Sequence, residues 1–159
     1  MERSAERWPG AAAALRDELA GRPGRLALVC GEDAERTAER IAEALGVSPT
    51  RVGGLLTAEE APPAPSVVAE LLSTATVLMD CEILFDRGVG VDPLQLLRAL
   101  ARRAPRIAVW PGRIASGRTT YSEPGRRDHY ERELADTLVI RPRHTAFPDE
   151  VPYTVERIP

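Results

Sequence analysis

Two carboxylates at the end of an apolar run are the residues of this chain best suited to chemistry. Residues 76–86 read Thr-Val-Leu-Met-Asp-Cys-Glu-Ile-Leu-Phe-Asp, so Asp80 closes the run and Glu82 follows two positions later. Such a pair can hold magnesium through water at one member and polarise an attacking water at the other. Gly31, Arg36 and Thr37, upstream, add a permissive backbone, a guanidinium and a hydroxyl. In that scheme Glu82 is the catalytic candidate and Asp80 and Thr37 are the metal ligands, while Gly31, Arg36 and Thr37 hold the cofactor. The alternative is structural: Asp80 caps the next turn, and Arg36 with nearby backbone N–H groups satisfies both carboxylates.

The elements that must position these residues follow from hydrophobic patterning. A continuous apolar run without alternation is the pattern of a strand covered on both faces, hence of a parallel sheet in an α/β domain. Ligands in such domains sit at the carboxyl ends of the strands, where Asp80 and Glu82 fall. Residues 25–30 form a second buried strand, followed by Gly31 and by a helix that buries Ile41, Leu45 and Val47. Strand, tight loop and helix open a βαβ unit. The spacing further predicts helices over 11–20, near 67–72 and after Asp92-Pro93, an N-cap followed by proline at the first helical position. Strands are predicted over 51–56, 106–110 and 137–140, a hairpin arm within 113–127, and a short helix over 128–134. Residues 57–65 read as a proline-rich surface loop and 142–159 as an extended tail. The expectation is one domain over 1–159, a three-layer α/β/α fold around a mostly parallel five-stranded sheet.

A strand-loop-helix followed by an apolar strand ending in Asp is the layout of a P-loop nucleoside triphosphatase. The loop pattern G-x-x-x-x-G-K-[ST] falls on residues 30–37. Cys30 takes the place of the first glycine, Glu35 that of the second and Arg36 that of the lysine; Thr37 alone fits. A carboxylate about 5 Å from a phosphate charge costs about 3 kcal/mol at an effective dielectric near 20. This loop repels the group it would need to bind. Pairing of Arg36 with Asp80 or Glu82 closes the site on itself in this reading.

Composition narrows the function classes. With 159 residues, 24 acidic and 21 basic, the net charge is −3 and no basic block forms a nucleic-acid footprint. Every basic residue among the Lys and Arg is arginine, so Schiff-base and lysine–phosphate chemistry are absent. Cys30 and Cys81 read as small buried residues in a reducing compartment, and His129 and His144 have no cysteine near them to build a zinc site. No apolar run approaches the length of a membrane span. A cytoplasmic protein without membrane contact is expected.

The segments 77–86, 91–100, 109–112 (Val-Trp-Pro-Gly) and 120–125 (Thr-Tyr-Ser-Glu-Pro-Gly) together resemble successive motifs of BrxF, the small P-loop-containing component of type 3 BREX bacteriophage-exclusion systems. The resemblance implies a bacterial antiphage-defence subunit whose partners are other BREX proteins, with indirect association with DNA. By position, Asp80 and Glu82 match the acidic strand-end motif and Thr37 the loop hydroxyl. Cys30, Glu35 and Arg36 stand where glycines and lysine belong. The first reading is therefore an assembly module with a degenerate loop and no bound cofactor. The alternative is a weak ATPase using ATP and Mg2+ through Thr37, Asp80 and Glu82, completed by a partner. Direct DNA binding through Arg98, Arg102, Arg103, Arg126 and Arg127 is disfavoured by the acidic balance. The arm around 113–127 is a candidate partner surface, with Trp110 either part of it or a plug of the core.

Overall fold

A computed structural model describes residues 7–58 and 63–159. The elements run α1 (Gly10–Ala20), β1 (Leu26–Cys30), α2 (Ala34–Leu45), β2 (Thr50–Arg51), α3 (Val52–Thr57), α4 (Pro65–Leu71), β3 (Val77–Met79), α5 (Pro93–Arg103), β4 (Arg106–Trp110), β5 (Arg113–Ala115), β6 (Arg118–Tyr121), β7 (Tyr130–Glu133), β8 (Thr137–Pro142) and β9 (Tyr153–Ile158). One turn of 3-10 helix, Cys81–Phe85, follows β3.

The main sheet has the order β2-β3-β4-β1-β8-β9. Its first five strands are parallel, and β9 adds to β8 antiparallel. The five residues of β1 are all buried and alternate between two cores. Leu26, Leu28 and Cys30 join one, together with residues of α3, α4 and α5. Ala27 and Val29 join the other, with Leu15 and Leu19 of α1 and Ala38 and Ile41 of α2. Helices therefore cover both faces, the three-layer α/β arrangement expected from runs with no polar face.

Four predicted strands and four predicted helices stand close to their expected places; three segments differ. Residues 52–57 form helix α3 and only Thr50–Arg51 are strand. Val52 and Leu56, four apart, are both buried, a helical spacing that outweighs the Gly53-Gly54 pair read as a strand interruption. Residues 130–133 form β7 rather than a helix. Their charges pair across the ladder, Arg118 bonding Glu131 at 2.7 Å and Glu133 at 3.1 Å, which a single strand seen alone does not reveal. The tail is not merely extended, because Tyr153–Ile158 is the sixth strand of the sheet. Five strands become six for that reason. In the proline-rich stretch 57–65, Thr57 closes α3 and Pro65 opens α4, and residues 59–62 lie outside the described residues.

Arg106, at the start of β4, is 3% exposed. Its guanidinium donates to Ala75 O at 2.7 Å, Ser73 O at 2.7 Å and Leu100 O at 3.3 Å. The carbonyls near the ends of α4 and α5 supply its neutralisation, as the negative ends of helices can.

Strands β5, β6 and β7 form a separate antiparallel arm after β4. Gly112 makes its departure possible. A Cβ there would lie 1.8 Å from the carbonyl oxygen of Thr120, so only glycine permits the arm to fold this tightly against the end of β4.

Candidate functional site

Gly31, Asp80 and Trp110 stand at or just past the carboxyl ends of parallel strands β1, β3 and β4. The sequence turns sharply there. Gly31 has φ +113°, Asp33 +61° and Asp80 +54°; aspartate is one of the few side chains that tolerates such a left-handed backbone.

The loop between β1 and α2 is only residues 31–33. Ala34 N–H already donates to Gly31 O at 3.2 Å and Thr37 N–H to Asp33 O at 2.9 Å. Glu35, Arg36 and Thr37 are thus helical residues, not parts of an open loop. Helix α2 separates them by face. Glu35 reaches β3, where its Oε1 accepts from Asp80 N–H at 3.0 Å. Arg36 is exposed on another side of the helix and makes no ion pair among the described residues. The expected pairing of Arg36 with Asp80 or Glu82 is therefore corrected, and among the described residues the ion pair at this centre joins Arg51 of β2 to Glu35 Oε2 at 4.0 Å. Sequence reasoning treated Glu35 as damage to a loop and missed it as a ligand of the β3 end. Helical phase is the signal that separates it from Arg36, one residue and about 100° away.

Three carboxylates converge. Desolvation, a hydrogen bond shared with Asp80, and the negative charges of Asp80 and Glu35 hold the Glu82 carboxyl above its usual range, although the residue itself is exposed. Asp80 leans over α3, and a Cβ on Gly53 would meet its Oδ2 at 2.2 Å. Gly53 N–H donates to Asp80 O at 3.0 Å. Glycine at 53 is what lets α3 lie against this carboxylate. Among the described residues no group of three or more His, Cys, Asp or Glu side chains is arranged to hold a metal ion. Thr37, placed with the metal ligands by sequence, is buried to 4% exposure and lines a different cleft from Asp80 and Glu82. The structure thus brings Asp80 and Glu82 together, adds Glu35, and leaves Arg36 and Thr37 aside.

Beyond Glu82 the chain enters an aromatic joint. Phe85 stacks on Tyr121 at 4.0 Å between ring centroids and meets Trp110 and Tyr130 edge-on at 5.1 and 5.4 Å. Trp110 is 2% exposed, so it plugs the core. Tyr130 donates its hydroxyl to Asp92, the N-cap of α5, which also accepts from Gln95 N–H at 3.1 Å. A cleft of about 470 Å³ opens beside the joint, lined among others by Glu82, Asp86, Arg87, Tyr121 and Asp128. Burial first, then the charges of Asp128 and Glu82, push the Tyr121 hydroxyl up.

Both cysteines are buried. Desolvation raises each thiol, which keeps them protonated and unreactive. No described helix is long and apolar enough to cross a membrane. Comparison with protein-family models, with curated proteins and with solved structures returned no match.

Proposed function

We propose that this chain is an assembly subunit of a bacterial BREX-type phage-exclusion system, with a P-loop-like fold whose nucleotide site is closed by carboxylates. The observation that carries the reading is the Glu35 to Asp80 contact. Glu35 Oε1 occupies the N–H at the tip of β3, where a magnesium-bound phosphate would approach a P-loop protein. With Asp80 and Glu82 beside it, the pocket is negative and repels a nucleotide by about 3 kcal/mol for each close carboxylate. The three-residue loop of 31–33 leaves too few backbone N–H groups to wrap phosphates.

The four segments that resemble BrxF also support the reading. They follow one another along the chain with short gaps, and Phe85, Asp92, Trp110 and Tyr121 from them meet, with Tyr130, at one aromatic joint. Segments of a resemblance that converge on one spatial centre support it better than segments scattered over the surface. The half-exposed Tyr121 and the exposed Arg126 and Arg127 on the arm are residue types favoured where proteins meet.

Two measurements test this. In thermal unfolding, millimolar ATP with magnesium should leave Tm unchanged, because a ligand that does not bind the folded state cannot stabilise it. A shift of several degrees abolished in Asp80→Ala would overturn the closed-site reading. Co-expressed with the remaining subunits of a type 3 system, tagged chain should elute with at least one of them in stoichiometric amount; elution alone would overturn the assembly role.

A further inference from the structure

A groove of about 720 Å³ runs between α4 and α5, on the face of the sheet opposite α2. Ser66, Ala69 and Ser73 wall it on one side and Ala99, Arg102 and Arg103 on the other, with Glu70 as the single carboxylate in its lining. Small side chains on both walls leave room for a third helix to come within the interaxial distance of about 8–10 Å at which helices pack.

The α4 wall is short of charge. Between residues 63 and 76 the one charged side chain is Glu70, in a chain that is 28% charged. Val67, beside Ser66, is 41% exposed, and it and Phe147 are the large apolar side chains exposed among the described residues. Depletion of charge marks the cores of protein interfaces, where arginine is enriched. The α5 wall supplies the arginine. Arg102 and Arg103 are exposed on its last turn, Arg25 reaches in to donate to Arg102 O at 2.9 Å, and Arg106 lies buried nearby. None of the four is in an ion pair among the described residues. The two helix ends contribute about −0.5 charge each and Glu70 a further −1, so about two positive charges stand uncompensated. The repulsion reaches Arg106, whose guanidinium is held below its ordinary range first by desolvation and then by the charge of Arg103.

We propose that this groove docks an acidic amphipathic helix of a partner protein, with apolar side chains against Val67, Ala69 and Ala99 and carboxylates toward Arg102 and Arg103. A helix laid in a groove anchors through one apolar face at i, i+3, i+4 and i+7, which fits one neutral wall and leaves the flanking carboxylates to the basic one. Nucleic acid is the poorer occupant, because phosphates use neither the valine nor the uncharged wall and meet Glu70. Such a surface gives the assembly role its contact and rests on that role for the identity of the natural partner. It shares no residue with the acidic centre or the aromatic joint.

The test uses the full chain and a fluorescein-labelled peptide of about 20 residues, long enough to form a helix on binding, with leucines at i, i+3, i+4 and i+7 and glutamates along both flanks. Binding is read by anisotropy at low salt. Arg102→Glu combined with Arg103→Glu should weaken it about tenfold or more and Val67→Ser several-fold. The control pair Arg7→Glu with Arg16→Glu, equal in charge change, should leave it unchanged. The substituted residues are all exposed, so the variants should fold. A peptide with lysine in place of glutamate should instead prefer the Arg102→Glu, Arg103→Glu variant to the parent. No other subunit is present, so failure of co-elution with defence subunits and failure of peptide binding are separate results. No peptide binding at millimolar concentration, or equal binding by the double variant and the control pair, overturns the proposal. So does a single-stranded oligonucleotide that binds the parent more tightly than the peptide and is lost in the double variant, which would assign the groove to nucleic acid.

Discussion

At the scale of single residues, the acidic centre at the end of β3 is under electrostatic tension that one substitution relieves. Glu82 has its folded-state pKa raised above the ordinary 4.5, first by desolvation and then by Asp80 and Glu35. A carboxyl whose pKa is raised by folding favours the folded state fully below the unfolded value, and that contribution is lost as pH rises through the folded value. Glu82→Gln should therefore unfold at a higher temperature than the parent at pH 7. The difference should vanish below about pH 4, where both side chains are neutral. A variant less stable than the parent at pH 7 would show that the Glu82 charge is compensated by a cation. Glu35 teaches a related lesson. Its type was legible in the sequence as a charge unsuited to phosphate, but its role was not, because the contact with Asp80 N–H spans 45 residues. Gly53 was equally opaque, since nothing local shows that its missing side chain makes room for Asp80.

At the scale of elements, the arm and α5 are joined through Asp92. This one carboxylate caps α5 at Gln95 N–H, accepts from the Tyr130 hydroxyl and pairs with Arg132 at 3.3 Å, while Arg132 also lies over the Tyr130 ring at 4.7 Å. Asp92→Ala should cost about 1–2 kcal/mol for the cap and about 1 kcal/mol more for the Tyr130 hydrogen bond. Urea unfolding of Asp92→Ala, Tyr130→Phe and the double variant checks this. The two single losses should exceed the double by about 1 kcal/mol, and simple additivity would show that the arm is not fastened there. The Asp92-Pro93 start of α5 was readable because capping is a local property. The strand nature of β7 was not, because Tyr130 and Leu134, four apart and both buried, imitate a helix, and only pairing with β6 makes Glu131 and Glu133 favourable. The same holds for β9, whose partner β8 is the sole reason it is a strand rather than a tail.

At the scale of the whole molecule, the α/β class and three layers followed from uninterrupted apolar runs, since each such run demands cover on both sides. Strand order did not follow, because it depends on which runs meet. The order places β1 between β4 and β8 with every residue buried, and it leaves the arm as a small separate sheet. Native-state hydrogen exchange should reflect this division. Amides of β1 and β4 should exchange only through global unfolding, whereas those of β5 and β7, on the edges of a three-stranded sheet, should open by local fluctuation at lower free energy. Equal protection in both regions would mean that the arm and the main sheet unfold as one unit.

The central position of β1 also has a price during biosynthesis. Leu26 pairs with Arg106 and with Thr137, residues made 80 and 111 positions later. At about 5–20 residues per second, translation of the intervening chain takes about 4–16 s to the first partner and about 6–22 s to the second. Throughout that interval Leu-Ala-Leu-Val-Cys emerges from the ribosome as an apolar segment with helix α2 as its nearest cover. A strand with every residue buried in the finished protein is thus the one that waits longest for shelter, and the nascent chain is an expected client of ribosome-associated chaperones.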